Sequence, residues 1–204
     1  RNTIKLANIC KKVKNLKKFI SFGSCLEYKK KNGSCTESGN IDRKSNLSNI
    51  KSKIYKDLKI LFENKNINLI WFRLFYVYGN NQRKGSLIPS IISSLKKNKS
   101  FEFKNPNNAV DYINVIDVIE LIIIALNKNI KIGIYNIGYG KSYHNYEILN
   151  TINKLMLKTK PMIEISKNKK IYNFYSNNSK TINQFQKRPS IDLITGIRNI
   201  LNEK

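Results

Sequence analysis

Residues that could bind a ligand or take part in catalysis follow three short apolar runs in the sequence. These residues are Ser24, the segment 75–79 and Gly138-Tyr139-Gly140. If the runs are parallel strands, their carboxyl ends meet at one edge of a sheet, where open α/β sheets bind ligands. The sequence therefore predicts a ligand site that contains the Ser24 hydroxyl and the glycines at the ends of the other two runs.

Two glycine patterns fail as phosphate-binding motifs. Residues 138–142 (GYGKS) end like a P-loop, but the glycine needed five residues before Gly140 is Tyr135. The dinucleotide pattern G-x-G-x-x-G occurs nowhere in the 204 residues. The sequence as given therefore has no recognisable turn for a pyrophosphate.

Tyr55 and Lys59 have the spacing that places a phenol and an ammonium on one helix face. In that arrangement the ammonium lowers the pKa of the phenol, which can then transfer a proton. The chain contains 11 tyrosines and is rich in lysine, so one such pair is expected by chance. The pair alone therefore assigns no site.

The elements that must position these residues alternate between helix and strand. Helical spacing of apolar residues predicts helices at about 2–16, 48–64, 87–95, 116–126, 144–157 and 190–202. Short apolar runs predict strands at 18–23, 68–75, 112–115, 132–137 and 162–165, and residues 29–46 are predicted to form a polar loop. The alternation predicts an α/β fold with parallel strands.

The composition bears on three classes of protein: membrane proteins, metal-binding proteins and nucleic-acid binders. No apolar run approaches the ~20 residues of a membrane span, so a soluble, cytoplasmic protein is expected. Cys10, Cys25 and Cys35 fit no metal-binding spacing and His144 has no neighbouring ligands, so no metal site is predicted. The net charge of +25 is typical of nucleic-acid binders. However, the lysines are spread along the whole chain together with an excess of Asn and Ile, which an AT-rich coding sequence would produce. The charge therefore does not by itself indicate nucleic-acid binding.

Four motifs carry a more specific signal. They are residues 19–28 (FISFGSCLEY), 73–79 (RLFYVYG), 111–118 (DYINVIDV) and 135–140 (YNIGYG). The first is similar to a strand-plus-serine segment, and the second resembles Arg-x-Phe-Asn-Val-Tyr-Gly. The others resemble Arg-Asp-Phe-Ile-His-Val-x-Asp-Val and Tyr-Asn-Val-Gly-x-Gly. In this order, the motifs resemble the NAD-dependent epimerase/dehydratase family, extended short-chain dehydrogenases/reductases that modify nucleotide sugars.

The resemblance implies a fold and a chemistry. The expected fold is the C-terminal part of a Rossmann-like parallel-sheet domain, at 1–78 and 110–138, plus a small α/β substrate-binding domain at 79–109 and 139–204. The implied cofactor is NAD or NADP, and the implied substrate is a nucleotide sugar. In the family, a tyrosine is the general base, a lysine holds the nicotinamide ribose and a serine binds a sugar hydroxyl.

Residue by residue, Ser24 matches the serine and Lys53 matches the lysine. The resemblance further implies cofactor contacts at Lys53, Phe75 and Val77, and substrate contacts at Ser24, Tyr76, Leu87 and Lys167.

Three positions depart from the family pattern. Asn49 stands where the catalytic tyrosine is expected, and an amide has no proton to exchange near neutral pH. Losing a positioned acid/base typically costs ~10²–10⁴-fold in rate. Tyr55 would follow the lysine and is not a direct substitute. Val110 replaces an arginine that contacts the diphosphate, and Tyr76 replaces an asparagine.

The family's glycine turn would precede residue 1, so the strand at 18–23 is expected to be an exposed sheet edge. The chain is therefore interpreted as a fragment, a decayed remnant or one half of a split protein.

Three functions are compatible with the sequence. The first is an NAD-dependent nucleotide-sugar epimerase/dehydratase, or a truncated or degenerate member of that family. The second is a non-catalytic module that binds a sugar nucleotide or a partner subunit, and the third is a nucleic-acid binder. The resemblance also implies a homodimer through helix 48–64.

Overall fold

The structure is a computed structural model that describes residues 2–29, 32–103, 105–157, 163–165 and 171–203. Helices and strands alternate along most of the chain. The helices are α1 Asn2–Cys10, α2 Asn46–Phe62, α3 Leu87–Lys96, α4 Val115–Asn127, α5 Asn145–Leu155, α6 Ser179–Phe185 and α7 Leu193–Asn202. The strands are β1 Lys18–Ser24, β2 Asn32–Cys35, β3 Asn68–Leu74, β4 Tyr76–Tyr78, β5 Phe101–Phe103, β6 Ala109–Asn114, β7 Gly133–Ile137, β8 Ser142–His144, β9 Ile163–Ile165 and β10 Asn173–Ser176.

The first sheet has three parallel strands in the order β1-β3-β7. Successive residues of β3 point to opposite faces. Leu69 and Trp71 pack with the cluster that includes residues of α1 and α2, whereas Ile70 and Phe72 pack with the cluster that includes residues of α4 and α6. Helices therefore cover both faces, which confirms the predicted α/β class with a parallel sheet.

The second sheet has the order β2-β10-β6-β4, and β8 pairs antiparallel with β6. Strands β5 and β9 form a separate parallel pair. A third apolar cluster lies here and joins side chains of α3, α5 and α7 to those of β6 and β10. The predicted division into two domains, at 1–78 with 110–138 and at 79–109 with 139–204, stays a prediction.

Several predicted elements are confirmed. The strands at 18–23 and 68–75 and the helices at 48–64, 87–95 and 116–126 have structural counterparts whose ends differ by two residues or fewer. Local capping explains where α2 begins, because the Ser45 side chain accepts the backbone N–H of Ser48. In the described part of the chain, no helix is long and apolar enough to cross a membrane.

Two predictions are wrong. The helix expected at 2–16 ends at Cys10, and Val13 beyond it is 55% exposed, so the helical spacing of apolar residues there does not reflect a continuing helix. The loop expected at 29–46 contains β2, whose sequence NGSC carries no strand signal. Pairing with β10 stabilises β2, and β10 lies more than a hundred residues later in the chain.

Strand β1 pairs with β3 on one side and lies at an edge of the three-stranded sheet that the described residues form. This position agrees with the edge expected for the strand at 18–23. Phe22 in this strand is 40% exposed.

Candidate functional site

The three predicted strand ends meet at one edge of the first sheet. Ser24 pairs in register with Leu74, and Leu74 pairs with Ile137. The backbone N–H of Phe75 then donates to the carbonyl oxygen of Ile137 at 2.9 Å. The residues after β1, β3 and β7 are therefore held beside one another, as the parallel arrangement predicts.

Ser24 caps the 3₁₀ turn Cys25–Glu27 that follows β1. Its Oγ accepts the backbone N–H of Leu26 at 3.2 Å, while its own N–H donates to Glu27 Oε1 at 2.8 Å. The two residues thus form a capping box, which ties the hydroxyl to the backbone of its own turn.

A buried ion pair lies directly behind Ser24. Glu27 Oε2 accepts from Arg73 Nε at 3.1 Å, and both side chains are at most 5% exposed. Arg73 also donates to the carbonyl oxygen of Glu37 at 3.0 Å and lies over the ring of Tyr28, 4.7 Å from its centroid. Breaking such a pair typically costs about 3–5 kcal/mol, because the remaining charge is buried without a partner.

The resemblance did not assign a role to Glu27, although two signals were available in the sequence. Ser24 and Glu27 have the Ser-x-x-Glu spacing of a capping box, and Arg73 is the single charge in an apolar strand.

The same network continues to β7 through Tyr28 and Asn136. The Tyr28 hydroxyl donates to Asn136 Oδ1 at 2.6 Å, and Asn136 Nδ2 donates to the carbonyl oxygens of Cys35 and Asn177 at 2.7 and 3.2 Å. Burial raises the pKa of Tyr28 to about 12, and the nearby Arg73 charge opposes that rise. The phenol is therefore protonated at neutral pH and acts as a hydrogen-bond donor.

Asn49 and Lys53 lie together on α2, in a surface cleft of about 430 Å³ that we call the basic cleft. Asn49 Nδ2 donates to the carbonyl oxygen of Arg43 at 2.9 Å, and both Asn49 and Lys53 are exposed. The remaining lining side chains are Ile41, Arg43, Ser52, Lys56 and Asp57. Ser24 does not line this cleft, so the structure unites Asn49 with Lys53 but not with Ser24.

Two neighbours of Lys53 on α2 take other positions. Lys51 Nζ donates to the carbonyl oxygen of Phe22 at 2.8 Å and is thus the lysine of this helix that contacts β1. Tyr55 packs on Trp71, with ring centroids 5.4 Å apart, among the buried side chains between α2 and the sheet. Tyr55 therefore does not line the basic cleft, and it packs in the core while Lys59 is exposed.

A second, larger cavity of about 460 Å³ brings together three predicted site residues: Tyr76, Val77 and Leu87. We call it the tyrosine cavity, because Tyr76, Tyr112 and Tyr172 line it. Val110, which the resemblance assigns to the position of a diphosphate-binding arginine, also lines it. The other lining residues are Gln82, Arg83, Ser86, Ile88, Asn105, Asn108 and Asn145.

Hydrogen bonds fix the polar walls of the tyrosine cavity. The Tyr112 hydroxyl donates to Asn145 Oδ1 at 3.1 Å, and Asn145 Nδ2 donates to the carbonyl oxygen of Asn105 at 2.9 Å. Asn108 Oδ1 accepts the backbone N–H of Tyr172 at 2.9 Å. Burial raises the pKa of both Tyr76 and Tyr112 far above the ordinary phenol value. The Tyr76 and Tyr112 phenols in the cavity wall are therefore uncharged over the physiological pH range.

The other predicted contacts fall elsewhere. Phe75 is buried in the core, where its ring packs between those of Tyr28 and Phe174. Its predicted cofactor contact stays a prediction. Lys167 lies outside the described residues.

The glycine turn at 138–140 binds a carboxylate of the chain itself. Asp111, fully buried on β6, accepts the backbone N–H groups of Tyr139 and Gly140 at 2.8 and 2.9 Å. It also accepts the backbone N–H and the hydroxyl of Ser176. Burial raises the pKa of Asp111, and these four donors oppose that rise. The amides that suggested a phosphate loop are therefore occupied internally.

The residues of this chain fit only part of a dinucleotide cofactor. Lys53 offers an exposed ammonium in the basic cleft, and Val77 lines the tyrosine cavity. No G-x-G-x-x-G turn occurs in the sequence, and the amides at 138–140 that could mimic one already bind Asp111. We therefore derive no hydride-transfer step from the residues of this chain alone.

Comparison with known proteins agrees with this architecture. The CDP-abequose synthase of Salmonella muenchen is 30% identical over 105 residues, which is 50% of this chain and 34% of that protein. The UDP-glucuronic acid 4-epimerase from Bacillus cereus, solved with NAD, has a TM-score of 0.86 at 24% identity over 97% of this chain. The dTDP-glucose 4,6-dehydratase from Bacillus anthracis, also solved with NAD, has a TM-score of 0.87 at 23% identity over 98% of this chain.

At these identities the structural matches establish the fold alone. The chain spans 62% of the epimerase and 64% of the dehydratase, and its match covers about a third of the synthase. The sequence profile of the NAD dependent epimerase/dehydratase family matches residues 1–138, well over half of the chain. The chain therefore belongs to the NAD dependent epimerase/dehydratase family.

Proposed function

We propose that the tyrosine cavity binds a nucleotide sugar and that the protein acts in the NAD-dependent epimerase/dehydratase chemistry of its family. The observation that carries this proposal is that Tyr76 and Leu87, two of the predicted substrate contacts, line one cavity of about 460 Å³ together with Val77, a predicted cofactor contact. These residues come from β4 and from the start of α3, and residues of the loop between them also line the cavity. The relatives named above support a sugar joined to a nucleoside diphosphate as the ligand class.

The chemistry of the cavity supports the same class of ligand. Its volume lies within the ~300–1,000 Å³ that is typical of small-molecule sites. Aromatic side chains offer flat apolar faces to a base or a sugar, and the side-chain amides of Asn105, Asn108 and Asn145 offer polar groups for a ligand's hydroxyls. These features favour a polar ligand that also has apolar faces.

Binding by the purified chain tests this proposal. Isothermal titration with UDP-glucose, dTDP-glucose and CDP-glucose should give saturable binding of at least one of them. Leu87→Glu should weaken that binding at least about tenfold, because a carboxylate in the cavity repels the diphosphate. Ile119→Glu is the matched control, since Ile119 is 44% exposed on α4 and does not line the cavity. Equal affinities in both variants would contradict the proposed location.

A specific observation favours a second candidate, a non-catalytic module that binds a sugar nucleotide or a partner subunit. The resemblance assigns Asn49 to the position of the family's tyrosine, and its amide donates to the carbonyl oxygen of Arg43. NADH fluorescence with and without a nucleotide sugar separates the two candidates. Saturable NADH binding supports the NAD-dependent enzyme. Sugar-nucleotide binding without NADH binding supports the module.

A further inference from the structure

One charged side chain lines the tyrosine cavity, among the residues that the structure describes there. Arg83 is exposed on the loop between β4 and α3, and the described lining contains no Asp or Glu. Arg83 forms no ion pair with any described residue. Its guanidinium is therefore available to a ligand, and no carboxylate of the described lining competes for it.

Several hydrogen bonds hold the loop that carries Arg83. Gln82 Nε2 donates to the carbonyl oxygen of Val77 at 3.1 Å, and the N–H of Ser86 donates to the carbonyl oxygen of Arg83 at 2.9 Å. The Ser90 hydroxyl donates to the carbonyl oxygen of Lys84 at 3.0 Å. Folding has thus already ordered this backbone, which reduces the entropy lost when a ligand binds.

The chemistry around Arg83 selects an anion. A guanidinium presents a planar set of donors that matches phosphate oxygens in pairs. Tyr76 and Tyr112 keep their protons, because burial raises the pKa of each phenol, so neither adds negative charge that would repel an anion. Val110 contributes an apolar surface and no charge. Arg83 therefore supplies the positive charge of the described lining.

We propose that Arg83 binds the diphosphate of the nucleotide sugar and so orients the ligand in the tyrosine cavity. This inference rests on the proposed function, because it names the residue that would recognise the charged part of that ligand. It predicts that Arg83 distinguishes a nucleoside diphosphate from the corresponding nucleoside.

The experiment measures binding of UDP, dTDP and CDP and of the corresponding nucleosides by isothermal titration. Arg83→Ala should weaken binding of the best nucleoside diphosphate about tenfold or more, the usual effect of losing a charged hydrogen bond. Binding of the matching nucleoside should not change. Arg83→Lys should retain part of the difference, because it keeps the charge and loses the paired donors. Lys84→Ala is the matched control, because Lys84 is exposed next to Arg83 and does not line the cavity.

The outcomes separate this inference from the proposed function. If the wild-type chain binds none of the three nucleoside diphosphates, both are wrong. If it binds one and Arg83→Ala binds it equally well, the inference about Arg83 is wrong and the proposed function stands. Equal weakening in Arg83→Ala and Lys84→Ala would assign the effect to diffuse surface charge, which also overturns the inference. Circular dichroism of each variant checks that the fold is retained.

Discussion

Asn49 offers no group that titrates near neutral pH, and the carbonyl oxygen of Arg43 holds its amide. Lys53 lies in the same cleft, so a phenol at position 49 would stand near an ammonium that favours its ionised form. The identity of this one residue therefore decides whether the basic cleft contains a proton donor and acceptor that chemistry near neutral pH could use.

In a chain completed by a segment that carries the family's cofactor-binding glycine turn, we expect Asn49→Tyr to raise the rate of NAD-dependent turnover of a bound nucleotide sugar by ~10²-fold or more, the usual contribution of a positioned acid/base. Absorbance of NADH at a fixed concentration of protein measures the change. Asn49→Phe is the matched control, because it adds the ring without the hydroxyl. Equal rates for these two variants, in samples that bind both ligands, would contradict the assignment of position 49.

At the scale of elements, Asp111 joins β6 to the turn after β7 and to β10. Its carboxylate accepts backbone donors from Tyr139, Gly140 and Ser176. Gly138 makes this approach possible, since a Cβ there would overlap Ser176 Oγ and Asp111 Oδ2. The conformation of this turn therefore depends on a residue with no side chain at position 138.

Gly138→Ala should lower the free energy of unfolding by about 2 kcal/mol or more, because the added methyl group displaces the buried carboxylate or the Ser176 hydroxyl. Urea denaturation followed by circular dichroism measures this loss. Gly85→Ala is the matched control, because nothing lies within 4 Å of a Cβ at that position. A loss in Gly138→Ala no larger than that in Gly85→Ala would mean that the turn relaxes at little cost.

At the scale of the whole molecule, apolar side chains remain exposed on the two helices that pack on one face of the first sheet. Ile9 on α1 is 66% exposed, and Ile50 and Ile60 on α2 are 60% and 70% exposed. Pairing of these helices with another protein would remove such exposed apolar side chains from water. We propose that these helices form the contact of a homodimer, as the resemblance implies for helix 48–64.

Light scattering coupled to size-exclusion chromatography should therefore find a dimer of the wild-type chain at micromolar concentration. Ile50→Glu should shift the population to monomer, because dimerisation would bury an unpaired carboxylate. Ile132→Glu tests charge alone, since Ile132 is 63% exposed and lies beyond these two helices. A monomeric wild-type chain would contradict the proposed dimer. Equal shifts to monomer in Ile50→Glu and Ile132→Glu would mean that α1 and α2 do not form the contact.

The sequence alone determined the class of fold and the order of its main elements. Apolar runs such as residues 68–75 predict strands without reference to the rest of the chain, because burial on both faces requires near-continuous apolar residues. The four motifs were also sufficient to indicate the family, which the match over residues 1–138 confirms. The convergence of the ends of β1, β3 and β7 followed from their parallel direction.

Only the tertiary structure decided which residues share a cavity. Ser24 and Lys53 are separated by less than 30 residues, yet Lys53 lines the basic cleft and Ser24 caps its own turn. Strand β2 and the tyrosine cavity depend on pairing and packing between segments distant in sequence, which no local pattern records. The turn at 138–140 resembles a phosphate loop in sequence, but a buried carboxylate from β6 occupies its amides. Local propensity sets the elements, whereas contacts between distant residues set the site.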